Sequence, residues 1–171
     1  MTAQPKKCVM SYRQYDKALA NLIKQLSKVH YDYICPKKDK WTHVVGVAES
    51  GLPIAVAVAK NLQLPLQILY TKRNDDGEIQ IDRIHSPWWR DDGCFKRLLV
   101  VDDIVDSGKT MFAISKHLSW IPHDFAFLCG RKQWKENCTC GIILSYDDYV
   151  FFPYEVYSNA KQHRSSTRSK V

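Results

Sequence analysis

The sequence predicts an α/β domain built on a doubly wound, mainly parallel sheet, and three observations predict it. Leu98-Leu99-Val100-Val101 are four consecutive aliphatic residues, as in a strand buried on both faces. A strand, a small-residue turn and a helix follow one another twice, at 41–62 and at 98–120. Strand and helix patterns then alternate from residue 41 to about residue 150, the order in which crossover helices join parallel strands. At 171 residues the chain is long enough for one domain with a core of its own.

Residues 10–29 carry Tyr15, Leu19, Leu22, Ile23 and Leu26 at helical spacing behind Ser11, a good capping residue. An amphipathic helix is expected there, followed by a polar loop at 36–40. Residues 41–48 read as the first strand of the sheet, 49–53 as a turn, and the Ala- and Val-rich 54–62 as a buried helix. Residues 66–70 read as the next strand. The polar stretch 71–96 reads as a long insert, with a turn signal at Asp75-Asp76-Gly77 and strand-like alternation over 78–82. Loops of that length in compact domains are functional or mobile as a rule. Trp88 and Trp89 in it suggest a lid, an interface or packing under the domain.

After the central strand, 110–120 reads as a helix with Ala113, Ile114 and Leu118 toward the sheet and His117 at the surface or satisfied. Residues 125–129 form the next buried strand, which runs into Gly130-Arg131-Lys132. Cations outside the carboxyl end of a parallel strand lie where ligands gather. Residues 141–144 are a further strand, and 146–155 a dense aromatic and acidic cluster.

The chemistry concentrates at 102–110. Asp102 and Asp103 directly follow the buried strand, where two neighbouring charges repel, so a core role does not explain them. Asp106, Ser107, Gly108, Lys109 and Thr110 then make a tight turn into a helix. Free N–H groups and the helix dipole favour phosphate at such a start. Ser107 and Thr110 add hydroxyl donors. A Walker-type loop is excluded, because the position of its first Gly is Asp103. An acidic pair before a phosphate cradle suits a ligand with vicinal hydroxyls and a phosphate, the carboxylates reaching the hydroxyls directly or through a metal. The turn at Ala48, Glu49, Ser50 and Gly51 has the same design and is a second candidate anion site.

The run Val-Val-Asp-Asp-Ile-Val-Asp-Ser-Gly-Lys-Thr closely resembles the phosphoribosyl-pyrophosphate (PRPP) motif of the type I phosphoribosyltransferases, and the chain is most similar to their xanthine/guanine/hypoxanthine branch. The resemblance implies that family's fold, with a small hood formed from the chain termini (about 146–157 on one side) and a flexible loop at about 71–96. It implies transfer of ribose 5-phosphate from PRPP to a 6-oxopurine with release of pyrophosphate. Asp102 and Asp103 would hold the ribose hydroxyls and Mg2+, with Glu155 a further metal candidate. Asp106 would be the general base, and 106–110 the 5′-phosphate loop. Ala48 to Gly51 would bind pyrophosphate, although Glu49 stands where a basic residue is common and Ser50 replaces a Gly. Arg131 or Lys132 would meet the purine oxygen. Tyr149 would stack on the base, and the Val150 backbone would read its edge. A homodimer is usual in the family. The alternatives are a non-catalytic PRPP- or nucleotide-binding regulator, and a transferase for another base.

Composition narrows the classes further. Four of the seven net positive charges lie in 161–171, read as a disordered basic tail beyond a domain at 1–160. Nucleic-acid contact is expected, if anywhere, only through that tail. No apolar run approaches a membrane span, and no apolar segment follows the N-terminal Lys6-Lys7, so a cytoplasmic protein is expected. Six cysteines in a chain of this size read as reduced thiols.

Overall fold

The structure, a computed structural model, describes residues 7–32, 40–85, 97–144 and 149–154. The elements run β1 (Lys7–Val9), α1 (Tyr12–His30), β2 (His43–Ala48), α2 (Leu52–Leu62), β3 (Leu66–Arg73), β4 (Ile79–His85), β5 (Leu98–Val105), α3 (Lys109–His117), β6 (His123–Arg131), a 3₁₀ turn (Lys132–Trp134), β7 (Thr139–Leu144) and β8 (Tyr149–Phe151).

A six-stranded sheet has the order β4-β3-β2-β5-β6-β7. It is parallel throughout except for the β3–β4 pair. Each strand alternates between two apolar layers, as a period of two requires. Leu99 and Val101 join α1 and α2 in one layer with Leu22, Leu26, Ile54 and Val58. Leu98 and Val100 join Ile114 and Leu118 of α3 in the other, with Val45, Val47 and Phe127. Full burial of each aliphatic residue of β5 stabilises the fold by roughly 1.5–3 kcal/mol. That accounts for the unbroken apolar run.

Helix α1 begins at a capping box. The Gln14 backbone N–H donates to Ser11 Oγ at 3.3 Å, and Ser11 N–H donates to Gln14 Oε1 at 2.9 Å. Its inner face is Ala18, Leu22, Leu26 and His30, with Tyr15, Leu19 and Ile23 partly buried beside it. Helix α2 starts two residues earlier than expected, with Pro53 in its first turn, where no N–H is needed. Helix α3 ends at His117, sooner than the expected residue 120.

One expectation is corrected. Most of the stretch read as one long loop is a hairpin: β3 continues to Arg73, turns at Asn74–Glu78, and returns antiparallel as β4. At the sheet edge one flank of the backbone meets solvent, so charged side chains there do not betray a strand. Residues 86–96, including Trp88 and Trp89, lie outside the described residues, as do 33–39, 145–148, Glu155 and the tail. Lys7–Val9 pairs in parallel with β8 in a separate two-stranded sheet. This is the small hood.

Candidate functional site

The chain passes from β2 outward to β3 on one side, and from β5 outward to β6 on the other. The crevice between β2 and β5 is therefore the point where the winding reverses, the place where α/β sheets bind ligands. A cavity of about 390 Å³ opens there at the carboxyl ends of the strands. Ala48, at the end of β2, and Ser50 line it on one side, and Asp102 through Thr110 line it from the last residues of β5 to the start of α3; Asp102 and Asp103 thus lie inside the strand rather than after it. Thr71, Arg73 and Ile79 enter from the hairpin.

The acidic pair forms the floor. Asp102 is 7% exposed and Asp103 8%. Asp102 Oδ1 accepts from the Asp103 backbone N–H at 2.9 Å, and Asp103 Oδ1 accepts from the Ile104 N–H at 2.7 Å. Neither makes an ion pair among the described residues. Burial, with the neighbouring Asp103 charge, pushes the Asp102 carboxyl well above the usual carboxylate range. Gly51 makes this proximity possible: a Cβ there would sit 2.7 Å from Asp102 Oδ1 and 2.7 Å from the Val47 carbonyl.

The 106–110 turn is held from β6. Arg131, whose side chain is 10% exposed, donates from Nε to Asp106 Oδ1 at 2.8 Å, while the Asp106 side chain is 66% exposed. Trp134 Nε1 donates to the Asp106 carbonyl at 2.7 Å, and Gln133 Nε2 donates to it at 3.4 Å. Gly108 sits at φ 79°, a left-handed conformation that glycine adopts freely, and leads directly into α3. Helix α3 has no side-chain cap, so its first N–H groups depend on another partner.

The 48–51 turn faces this loop across the cavity. The Ala48–Glu49 peptide is cis. Glu49 is exposed, and Tyr154 of the hood donates from its hydroxyl to the Ser50 carbonyl at 3.1 Å. The chain ends thus touch the turn across the molecule.

The structure brings Ala48, Ser50, Asp102, Asp103, Asp106, Ser107, Gly108, Lys109 and Thr110 around one cavity. It separates the two candidate cations: Arg131 is buried against Asp106, while Lys132 is exposed at the start of the 3₁₀ turn. Val150 packs into the α1/α2 layer. The Tyr149 side chain lies outside the described residues. Sequence reasoning missed Arg73, Thr71 and Trp134, and placed Tyr154 in the hood segment without its bond to the 48–51 turn. For Arg73 and Thr71 a signal existed, since strand alternation carries on from Leu69 through Thr71 to Arg73. Nothing local distinguishes Trp134.

Among the described residues no group of three or more His, Cys, Asp or Glu could hold a metal. The donor set here is two adjacent, buried carboxylates without a cation. That fits a hard divalent ion which keeps its remaining positions for water and ligand phosphate oxygens, and does not fit an all-protein cage.

The chain belongs to the phosphoribosyl transferase domain family, whose pattern matches residues 11–119. Its fold is shared with a purine phosphoribosyltransferase from Pyrococcus horikoshii (TM-score 0.68, 22% identity, 87% of this chain and 93% of that one). It is shared equally with the xanthine-guanine-hypoxanthine phosphoribosyltransferase of Helicobacter pylori (TM-score 0.67, 22% identity, 94% of this chain and 100% of that one). In sequence, 75 residues are 31% identical to a protein named transcriptional regulator GfcR from Methanosphaerula palustris. That match covers 44% of this chain and 35% of the relative, so the chain spans about a third of that protein's length. Among the described residues no helix is long and apolar enough to cross a membrane.

Proposed function

We propose that this protein transfers ribose 5-phosphate from PRPP to a 6-oxopurine, releasing pyrophosphate. The observation that carries the reading is the buried Asp102–Asp103 pair, without an ion pair among the described residues, lining one cavity together with the start of α3. In this reading the 5′-phosphate takes the N–H groups and hydroxyls of Ser107 to Thr110, with Asp106 opening the loop. Asp102 and Asp103 accept from the ribose hydroxyls and hold Mg2+. When bound, that ion neutralises the leaving pyrophosphate. Pyrophosphate lies along Ala48 to Gly51, and Arg73 on the hairpin supplies a cation to the same cavity. Asp106, oriented by Arg131 through one oxygen, takes a proton from a purine ring nitrogen, a role worth about 10²–10⁴ in rate. The pairing of Arg131 with Asp106 favours Lys132 as the donor to the purine oxygen. Tyr149 and the Val150 backbone complete the base site. A homodimer and a cytoplasmic location belong to the same reading.

A second reading is favoured by two observations, the carboxylate of Glu49 in the pyrophosphate turn and the match to a transcriptional regulator. Here the same cavity senses PRPP or a nucleotide without turnover.

One assay separates them: pyrophosphate release from PRPP and Mg2+ with guanine, hypoxanthine, xanthine, adenine, orotate and uracil. Release with a 6-oxopurine is expected, and Asp106→Ala should lower it by about 10²–10⁴ while PRPP still binds. Silence with every base, while calorimetry detects PRPP binding, would establish the regulator.

A further inference from the structure

We propose that Trp134 is the positioning residue of the 5′-phosphate loop, clamping it from the 3₁₀ turn after β6; this rests on the phosphoribosyl reading above. The loop is poorly held by its own residues. Gly108 has a left-handed φ and carries no side chain, α3 lacks a side-chain cap, and Ser107 Oγ reaches the Lys109 N–H only at 3.5 Å. A phosphate site of this kind works only if its N–H groups point to one place, so something outside the loop must hold them.

Trp134 does this by two contacts. Its indole N–H donates to the Asp106 carbonyl at 2.7 Å, which orients the peptide that opens the loop. Its six-membered ring lies over Gly108 so closely that a Cβ there would fall 2.5 Å from the ring. Gly108 is thus confined from above as well as permitted by its own lack of side chain. The indole is in turn supported. Phe112 of α3 meets it edge-on with ring centroids 5.6 Å apart, and the Trp134 carbonyl accepts from Asn137 N–H at 3.0 Å and Cys138 Sγ at 3.3 Å. Arg131, three residues earlier, holds the Asp106 carboxylate. The end of β6 and the short turn after it therefore fix both the side chain and the carbonyl of Asp106. Trp134 touches no proposed reacting atom and acts through the loop alone. It should govern affinity for the sugar phosphate and leave the pyrophosphate turn, on the opposite wall, untouched.

The test uses two fragments of PRPP as separate probes, ribose 5-phosphate and magnesium pyrophosphate, titrated calorimetrically into the full chain, with intact PRPP alongside. Trp134→Phe keeps an aromatic ring at the position and removes the donor. It is expected to weaken ribose 5-phosphate about 2–10-fold, as for one ordinary hydrogen bond, with pyrophosphate affinity unchanged. Trp134→Ala, if folded by circular dichroism, should weaken it further in the same selective way. In turnover, KM for PRPP should rise while KM for the base stays level. Equal losses for both fragments would make Trp134 a general structural residue, and no loss for either would leave the loop self-supporting; both results overturn the proposal. A wild-type protein that binds neither PRPP nor its fragments would instead overturn the phosphoribosyl reading, and this inference with it.

Discussion

Asp102 shows how a buried charge works against stability at a single residue. Its carboxyl is buried beside another carboxylate, and burial first, then the Asp103 charge, raises its pKa. An acid with a raised folded pKa binds its proton more readily in the native state than in the unfolded chain. Its cost is absent below the unfolded value of about 3.9, and it grows as pH rises through the window up to the folded pKa. Asp102→Asn keeps the oxygen that accepts from Asp103 N–H and removes the charge. Without divalent cation the variant should therefore melt higher than the wild type at neutral pH, by about 2–4 °C for each kcal/mol recovered. The gap should close below about pH 4. Magnesium-dependent PRPP binding should fall sharply in the same variant. Thermal melts across pH check the first claim; a variant that melts lower at pH 7 would show that the charge is compensated.

At the scale of elements, the strand ends opposite the site are tied by a polar network. Trp41 Nε1, just before β2, donates to Asp124 Oδ2 at 2.6 Å, and Arg97, just before β5, donates to both oxygens from Nε and Nη2 at 2.6 and 2.9 Å. Burial alone would raise the Asp124 carboxyl, but the bonds from Arg97 and Trp41 outweigh it and hold the pKa below the ordinary value. A depressed carboxylate contributes stability that is present above the unfolded pKa and is lost as pH falls through the lower, folded value. Urea midpoints of the wild type should thus drop more steeply below about pH 4 than those of Asp124→Asn. Parallel profiles would show that the network does not couple β2, β5 and β6 to pH. At the sheet margin, α1 covers β7: Asn21 Nδ2 donates to the Gly141 carbonyl at 2.6 Å and Gln25 Nε2 to the Cys140 carbonyl at 3.0 Å. Those bonds occupy carbonyls that would otherwise invite another strand.

For the whole molecule, the basic segment 161–171 holds four of the seven net charges, while the described residues that line the cavity lie between 47 and 127. Deleting 161–171 should leave the melting temperature and PRPP affinity unchanged. Any retention on duplex DNA should weaken in that variant and lose its salt dependence. A loss of PRPP affinity on deletion would bring the tail into the site.

The fold and half of the site were legible for a local reason. The apolar run of β5, the acids after it and the Ser107-Gly108 turn are contiguous, and burial on both faces leaves one pattern of side chains. The 48–51 turn could be read in the same way, since strand, turn and helix follow within a few residues. What the chain order hides is contact between distant segments. Thr71, Arg73, Trp134 and Tyr154 meet the site only after the sheet brings β3, the turn after β6 and the hood beside β2 and β5. The separate environments of Arg131 and Lys132 likewise follow from the strand end, where one residue turns in and its neighbour turns out. The sequence by itself determined which candidate site residues stand together, because an acidic pair at a buried strand and a small-residue turn into a helix are short, local patterns. Only the tertiary structure decided which side chains hold that chemistry in place, because support comes from neighbours in space that loop closure leaves far apart along the chain.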